Sequence, residues 1–175
     1  KQPMISNDKN FVMSYNGEVY NFKEIREKLI KKGYKFKSKT DSEVVLNSWI
    51  EWGQDCVHRF NGMFAFAIYD NIEKKLTIGT DPMGKKPIYW AKLNGQIYFC
   101  STLRGIIESA DQKFKINKKS VNSFINYSYI PSPNTILENV FKIEAGTTIE
   151  YDVDGNVNKN KYYDINKKAN DGLKN

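Results

Sequence analysis

Met63-Phe64-Ala65-Phe66-Ala67-Ile68-Tyr69 is the stretch that decides the fold of this chain. Without a charge and bounded by Gly62 and Asp70, it reads as a strand, apolar throughout. The polar residues 70–74 form a turn into Lys75–Thr80, which reads as its hairpin partner. Downstream, Asp81-Pro82-Met83-Gly84 is a tight turn, with Pro restricting φ and Gly free to take φ > 0. Residues 87–92 and 96–101 flank Asn94-Gly95, a strong two-residue hairpin signal. Asp154-Gly155 suggests another hairpin, between Thr147–Tyr151 and residues 157–163.

Upstream, residues 11–15 read as a short strand ending in a turn at Asn16-Gly17. A helix follows, opened by Asn21 and Glu24 in the capping-box relation, with Phe22, Ile25, Leu29 and Ile30 on one face and Gly33 at its end. Residues 34–37 read as a brief strand. Thr40 and Glu43 form a second capping box ahead of Val44, Val45, Leu46, Trp49 and Ile50, and a short helical turn covers residues 56–60. Residues 102–109 and 117–127 read as helices, and Pro131-Ser132-Pro133 breaks the pattern. Strands lie next to one another and do not alternate regularly with helices. The fold class expected is α+β with a mainly antiparallel sheet, not a doubly wound parallel one.

The chain has 175 residues, the size of one domain, and 40% of them are hydrophobic, enough for a sizeable core. Residues 1–163 read as that domain, and residues 164–175 as a polar, Lys- and Asn-rich linker. The net charge is +7, with clusters at residues 31–39 and 159–174. No aromatic-interleaved motif accompanies it, so it reads as a solvated basic face and a basic linker rather than a nucleic-acid surface. Cys56 and Cys100 are too isolated for a disulfide framework, and a single His argues against a zinc site. Both cysteines read as structural, and a reducing cytoplasm fits them. No apolar run approaches the about 20 residues that span a membrane. No signal peptide is read at the start, and because the first residue is Lys1 rather than Met, the gene product is expected to start earlier.

Tyr15-Asn16-Gly17-Glu18-Val19-Tyr20 is the segment most able to carry chemistry. A turn at Asn-Gly can aim a backbone N–H outward with the Asn amide beside it, and two such donors stabilise the oxyanion formed when a carbonyl is attacked. Glu18 could hold a substrate ammonium. A plain turn with a surface acid explains the same residues. Asp41 is equally two-sided: a carboxylate in the first turn of a helix is favoured by the macrodipole alone. His58, Trp49, Trp52, Trp90 and Lys85-Lys86 read as packing or surface residues.

Several motifs occur in order: Asn16-Gly17-Glu18-Val19-Tyr20-Asn21-Phe22, Lys32-Gly33-Tyr34, Lys39-Thr40-Asp41-Ser42-Glu43-Val44, Phe60-Asn61-Gly62-Met63-Phe64-Ala65-Phe66-Ala67 and Asp81-Pro82-Met83-Gly84-Lys85-Lys86-Pro87. Together they resemble the class II glutamine amidotransferases, a branch of the N-terminal nucleophile hydrolases. Tyr129-Ile130-Pro131-Ser132-Pro133-Asn134-Thr135-Ile136 and Tyr162-Tyr163-Asp164-Ile165 make the resemblance closest to the glutaminase half of asparagine synthetases. The resemblance implies a four-layer αββα sandwich in which an N-terminal Cys attacks the side-chain amide of glutamine. It implies an oxyanion hole from the Asn16 side chain and the Gly17 N–H, and glutamine held by Glu18 and Asp41. It implies no cofactor in this domain, with ATP and Mg2+ used by a synthetase domain that converts aspartate to asparagine. That synthetase domain is the partner implied, and a homodimer is left open.

Some features depart from the family pattern. The nucleophile of this family must be the first residue, where Lys1 cannot serve, and Lys1-Gln2-Pro3-Met4 resembles a piece from well inside the domain, so the N-terminal part and its Cys are expected to lie outside this chain. The chain as it stands is then expected to be inactive. No Ser-Gly-Gly-x-Asp-Ser pyrophosphate loop is present, and the family's Arg-Asp-Arg-Phe-Gly is Thr80-Asp81-Pro82-Met83-Gly84, closer to the purine-pathway amidotransferases. Three readings follow: a glutamine-dependent asparagine synthetase, a relative amidating another acid or forming a β-lactam with a non-catalytic domain, and a binding module resting on charge alone.

Overall fold

The computed structural model of the chain describes residues 2–172. Its elements in order are β1 (Met4–Ile5), β2 (Phe11–Val19), α1 (Phe22–Lys31), α2 (Asp41–Trp52), a 3-10 turn (Gly53–Arg59), β3 (Gly62–Asp70), β4 (Lys75–Thr80), β5 (Tyr89–Leu93), β6 (Gln96–Cys100), α3 (Leu103–Ser109), α4 (Lys118–Tyr127), β7 (Phe141–Lys142), β8 (Thr147–Tyr151), β9 (Val157–Lys161) and α5 (Ile165–Gly172). All strand pairs are antiparallel. The chain divides into two compact units, Lys1–Lys86 with Ala145–Asn175, and Pro87–Glu144.

The first unit holds a six-stranded sheet in the order β1-β2-β3-β4-β8-β9. Residues 64–68 of β3 are buried without a break, as their uniform apolarity requires. Along β2 the burial alternates instead: Met13, Tyr15 and Val19 are buried, while Ser14, Asn16 and Glu18 are exposed. The buried set joins Ile25 and Leu29 of α1 and Val44, Val45 and Trp49 of α2 in one core, with Phe64 and Phe66 stacked at 6.3 Å between centroids. The second unit holds the three-stranded sheet β6-β5-β7, packed with Ile106, Leu137 and Val140. Its β5–β6 hairpin turns at Asn94 (φ 50) and Gly95 (φ 77), the double positive φ that Asn-Gly tolerates best.

Four local expectations need correction. Asn16-Gly17 is not a turn: β2 continues to Val19, because every residue from Phe11 to Val19 has a partner on β3. The Asn21–Glu24 capping box does not form, since the Asn21 amide donates to the Arg59 carbonyl and accepts from the Asn61 N–H, both at 2.9 Å. The Thr40–Glu43 box does not form either. Glu43 reaches past the cap to accept from the Lys37 N–H (2.7 Å), the Ser38 N–H (2.6 Å) and the Ser38 hydroxyl (2.6 Å). Those bonds occupy residues 34–38 as an irregular link, so the brief strand expected there is absent. Within the stretch read as a linker, α5 occupies Ile165–Gly172.

Candidate functional site on the open edge of β2

The geometry of the candidate site follows from strand alternation. In an antiparallel ladder the main-chain groups of successive residues point to opposite edges. The Tyr20 N–H donates to Asn61 at 2.7 Å, toward β3. Even-numbered residues of this stretch therefore face β3, and odd-numbered ones face the other edge. That other edge is covered only at its start, where β1 pairs through Met4 with Met13 and Ile5 with Val12.

Side chains replace the missing strand at two odd-numbered positions. The Gln2 carboxamide accepts from the Tyr15 N–H at 2.7 Å and donates back to the Tyr15 carbonyl. The Asp41 Oδ2 accepts from the Val19 N–H at 3.1 Å. Between them lies Gly17, whose N–H falls on the same edge and has no hydrogen-bond partner among the described residues. Gly17 is required here by close approach rather than by φ. A Cβ on it would come within 2.4 Å of the Met63 carbonyl oxygen and 2.6 Å of the Phe64 Cα.

Asp41 starts α2 and is half-buried. Its Oδ2 also accepts from the Tyr15 hydroxyl at 2.8 Å, while Oδ1 has no partner among the described residues. Burial, then the Asp41 carboxylate, hold the Tyr15 hydroxyl far above the usual tyrosine range, so it remains a proton donor. Asn16 and Glu18 stand exposed on the face of β2 opposite Tyr15 and Val19. The structure thus brings Gly17 and Asp41 to one edge. It places Asn16 and Glu18 beside that edge, on its solvent side.

Sequence reasoning missed Tyr15 and Gln2 as parts of this arrangement. Their contacts span 26 and 13 residues of chain and follow no local spacing. It also took Asp81 for a turn residue only. Asp81 is 1% exposed, and its carboxylate accepts from the Met83, Lys85 and Lys86 N–H groups at 3.0 Å and from the Phe64 N–H at 3.3 Å. An Asp ahead of Pro-x-Gly is the local signal that could have flagged it.

The two cysteines have other settings. Cys56 is buried, and burial with the neighbouring Asp55 pushes its thiol well above the usual range. Cys100 closes β6 against Gly105 in the second unit. Among the described residues, no group of three or more His, Cys, Asp or Glu could hold a metal, and no helix is long and apolar enough to cross a membrane.

The profile of the glutamine amidotransferase domain family matches residues 1–163. This chain belongs to that family. It is 32% identical over 165 residues to the glutamine-hydrolysing asparagine synthetase 1 of Bacillus subtilis, covering 94% of this chain and 26% of that protein. It is 35% identical over 156 residues to a putative glutamine-hydrolysing asparagine synthetase 2 of Methanocaldococcus jannaschii, covering 88% of this chain and 30% of the relative. The chain therefore spans less than a third of the length of these relatives. Among solved structures it resembles the glutamine phosphoribosylpyrophosphate amidotransferase of B. subtilis, with a TM-score of 0.63 at 14% identity, over 92% of this chain and 31% of that one. The antiparallel α+β architecture is thus that of an amidotransferase domain of the N-terminal nucleophile type, as the motifs imply.

Proposed function

We propose that this domain binds glutamine at the open edge of β2 and releases its side-chain nitrogen as ammonia for an ATP-dependent conversion of aspartate to asparagine. The observation that supports this best is the edge itself: a free Gly17 N–H lying between two capped neighbours, one of them capped by an acid with a free oxygen. When a nucleophile attacks the glutamine side-chain carbonyl, its oxygen gains charge. The Gly17 N–H and the exposed Asn16 amide are the donors assigned to that charge. As the adduct collapses the C–N bond breaks, ammonia leaves with the proton given up by the nucleophile, and water then hydrolyses the acyl intermediate to glutamate. Glu18 and Asp41 are the acids for the substrate ammonium.

The nucleophile is neither Cys56 nor Cys100, given their settings. The remaining steps are assigned to a synthetase domain with ATP and Mg2+, in keeping with much longer relatives, of which this chain covers 26% and 30%, that are named as asparagine synthetases. The test is made on the enzyme that carries this domain. Asn16→Ala should lower kcat for glutamate release by about 100-fold, the range for one lost oxyanion donor. A kcat within a few-fold of wild type would break the oxyanion assignment. Aspartate should be the acid that triggers ATP turnover; turnover with another carboxylic acid and none with aspartate would move the protein to an amidating relative of different substrate.

A further inference from the structure

We infer that Tyr15 is a positioning residue for substrate recognition: its hydroxyl fixes Asp41 so that one carboxylate oxygen is reserved for the glutamine ammonium. This rests on the reading of Asp41 as an ammonium ligand. Two donors converge on Oδ2, the Tyr15 hydroxyl at 2.8 Å and the Val19 N–H at 3.1 Å. With that oxygen doubly occupied, the carboxylate cannot rotate without losing both bonds, and Oδ1 stays open to a ligand. The donors come from β2, the strand that also carries Gly17. The acid from α2 is therefore tied to the strand that presents the oxyanion donor, on either side of it.

The phenol is a device and not only filling. Tyr15 is 8% exposed and lies in the core cluster with Met13, Val19 and Val44, where a phenylalanine ring would bury equally well. Only the hydroxyl distinguishes the two residues, and its partner is Asp41. A buried tyrosine hydroxyl needs some partner in any case, so the decisive measurement must separate satisfaction of the hydroxyl from placement of the acid.

Ammonium recognition supplies that measurement. In the enzyme carrying this domain, kcat and KM are measured for glutamine, and the inhibition constant for glutaramate, the same molecule without its ammonium. In Tyr15→Phe the KM for glutamine should rise about tenfold with kcat within about twofold, since a hydrogen bond to a charged group holds an energy of that order. Glutaramate binding should stay unchanged, so preference for the ammonium-bearing ligand falls. Asp41→Asn should reduce that preference further. If Asp41→Asn removes the preference and Tyr15→Phe leaves it intact, the inference about Tyr15 fails while the reading of Asp41 stands. If Tyr15→Phe weakens both ligands equally, its role is structural only and the inference again fails. If Asp41→Asn leaves the preference unchanged, the reading of Asp41 itself is wrong. Thermal melting of each variant accompanies the kinetics. Should Tyr15→Phe not fold, Tyr15→Met, which keeps an apolar side chain in the core and also lacks the hydroxyl, carries the same expectation for the preference.

Discussion

Asp81 and Asp41 are both acids at the start of a turn or helix, and they have opposite settings. Asp81 is sealed in the first unit with both carboxylate oxygens filled by main-chain N–H groups, two on Oδ1 and two on Oδ2. Its backbone is used as well, since its carbonyl accepts from the Gly84 and Gly146 N–H groups at 2.9 Å. Asp41 is half-buried, with one oxygen filled and one open. A fully satisfied buried acid has no capacity left for a ligand and acts as a structural clamp. A half-satisfied acid at an accessible edge is held in place yet still able to bind. The two residues differ in open valence more than in kind, and it is the open valence of Asp41 on which the proposed ammonium contact rests.

Substitution can break or sharpen this contrast. The largest effect is expected at Asp81→Ala. It leaves four N–H groups without their acceptor, one buried and three part-buried, and should cost about 3–5 kcal/mol, read from the urea midpoint. Asp41→Ala loses the two hydrogen bonds from Tyr15 and Val19 at a half-buried site and should cost about 2 kcal/mol. Equal losses at the two positions would erase the distinction drawn between them.

Gly17→Ala comes next. The added Cβ meets main-chain atoms, Met63 O and Phe64 Cα, rather than a flexible side chain, so β2 and β3 must separate. A loss of about 1–3 kcal/mol is expected, together with reduced glutamate release as the edge N–H moves. Unchanged stability and activity would show that the strands tolerate the wider spacing.

The smallest effect concerns Glu43, which stands beside Asp41 in the sequence but has a structural role. Burial alone would raise its carboxyl pKa. The Ser38 hydroxyl, the Lys37 and Ser38 N–H groups and the Arg26 charge outweigh that and hold it below the ordinary glutamate value of 4.5. A carboxyl lowered on folding stabilises the protein above its unfolded value and loses that contribution as pH falls through its folded value. Glu43→Gln should therefore be less stable than wild type at pH 7 by at most about 1 kcal/mol. The gap should close as the pH is lowered through the acid range below 4.5. A gap that stays constant with pH would place the stabilisation elsewhere.

Much of this was legible along the chain where the governing contacts are short in sequence. The uniformly apolar run of β3, the Asn94-Gly95 hairpin and Gly33 after α1 (φ 95) all follow from residues within a few positions of one another. So does the Asn117 cap of α4, whose side chain accepts from the Lys119 and Ser120 N–H groups. The candidate residues were legible too, as a cluster of motifs, but their local geometry was not. Asn16-Gly17 carries a strong turn signal, yet the ladder with β3 overrides it. Asn21 and Glu43 carry capping signals, yet each finds partners outside the cap.

The sequence by itself determined most of the elements and which residues are candidates for the chemistry, because propensity, polarity and turn residues act over a few positions of chain. Tertiary structure alone decided that the Gly17 N–H lies on an uncovered strand edge, that Gln2 and Asp41 close that edge on either side, and that Tyr15 reaches Asp41. Those outcomes depend on strand pairing and on contacts between residues distant in the chain. No local pattern specifies such contacts, because their energies are realised only once the sheet and the helices have packed.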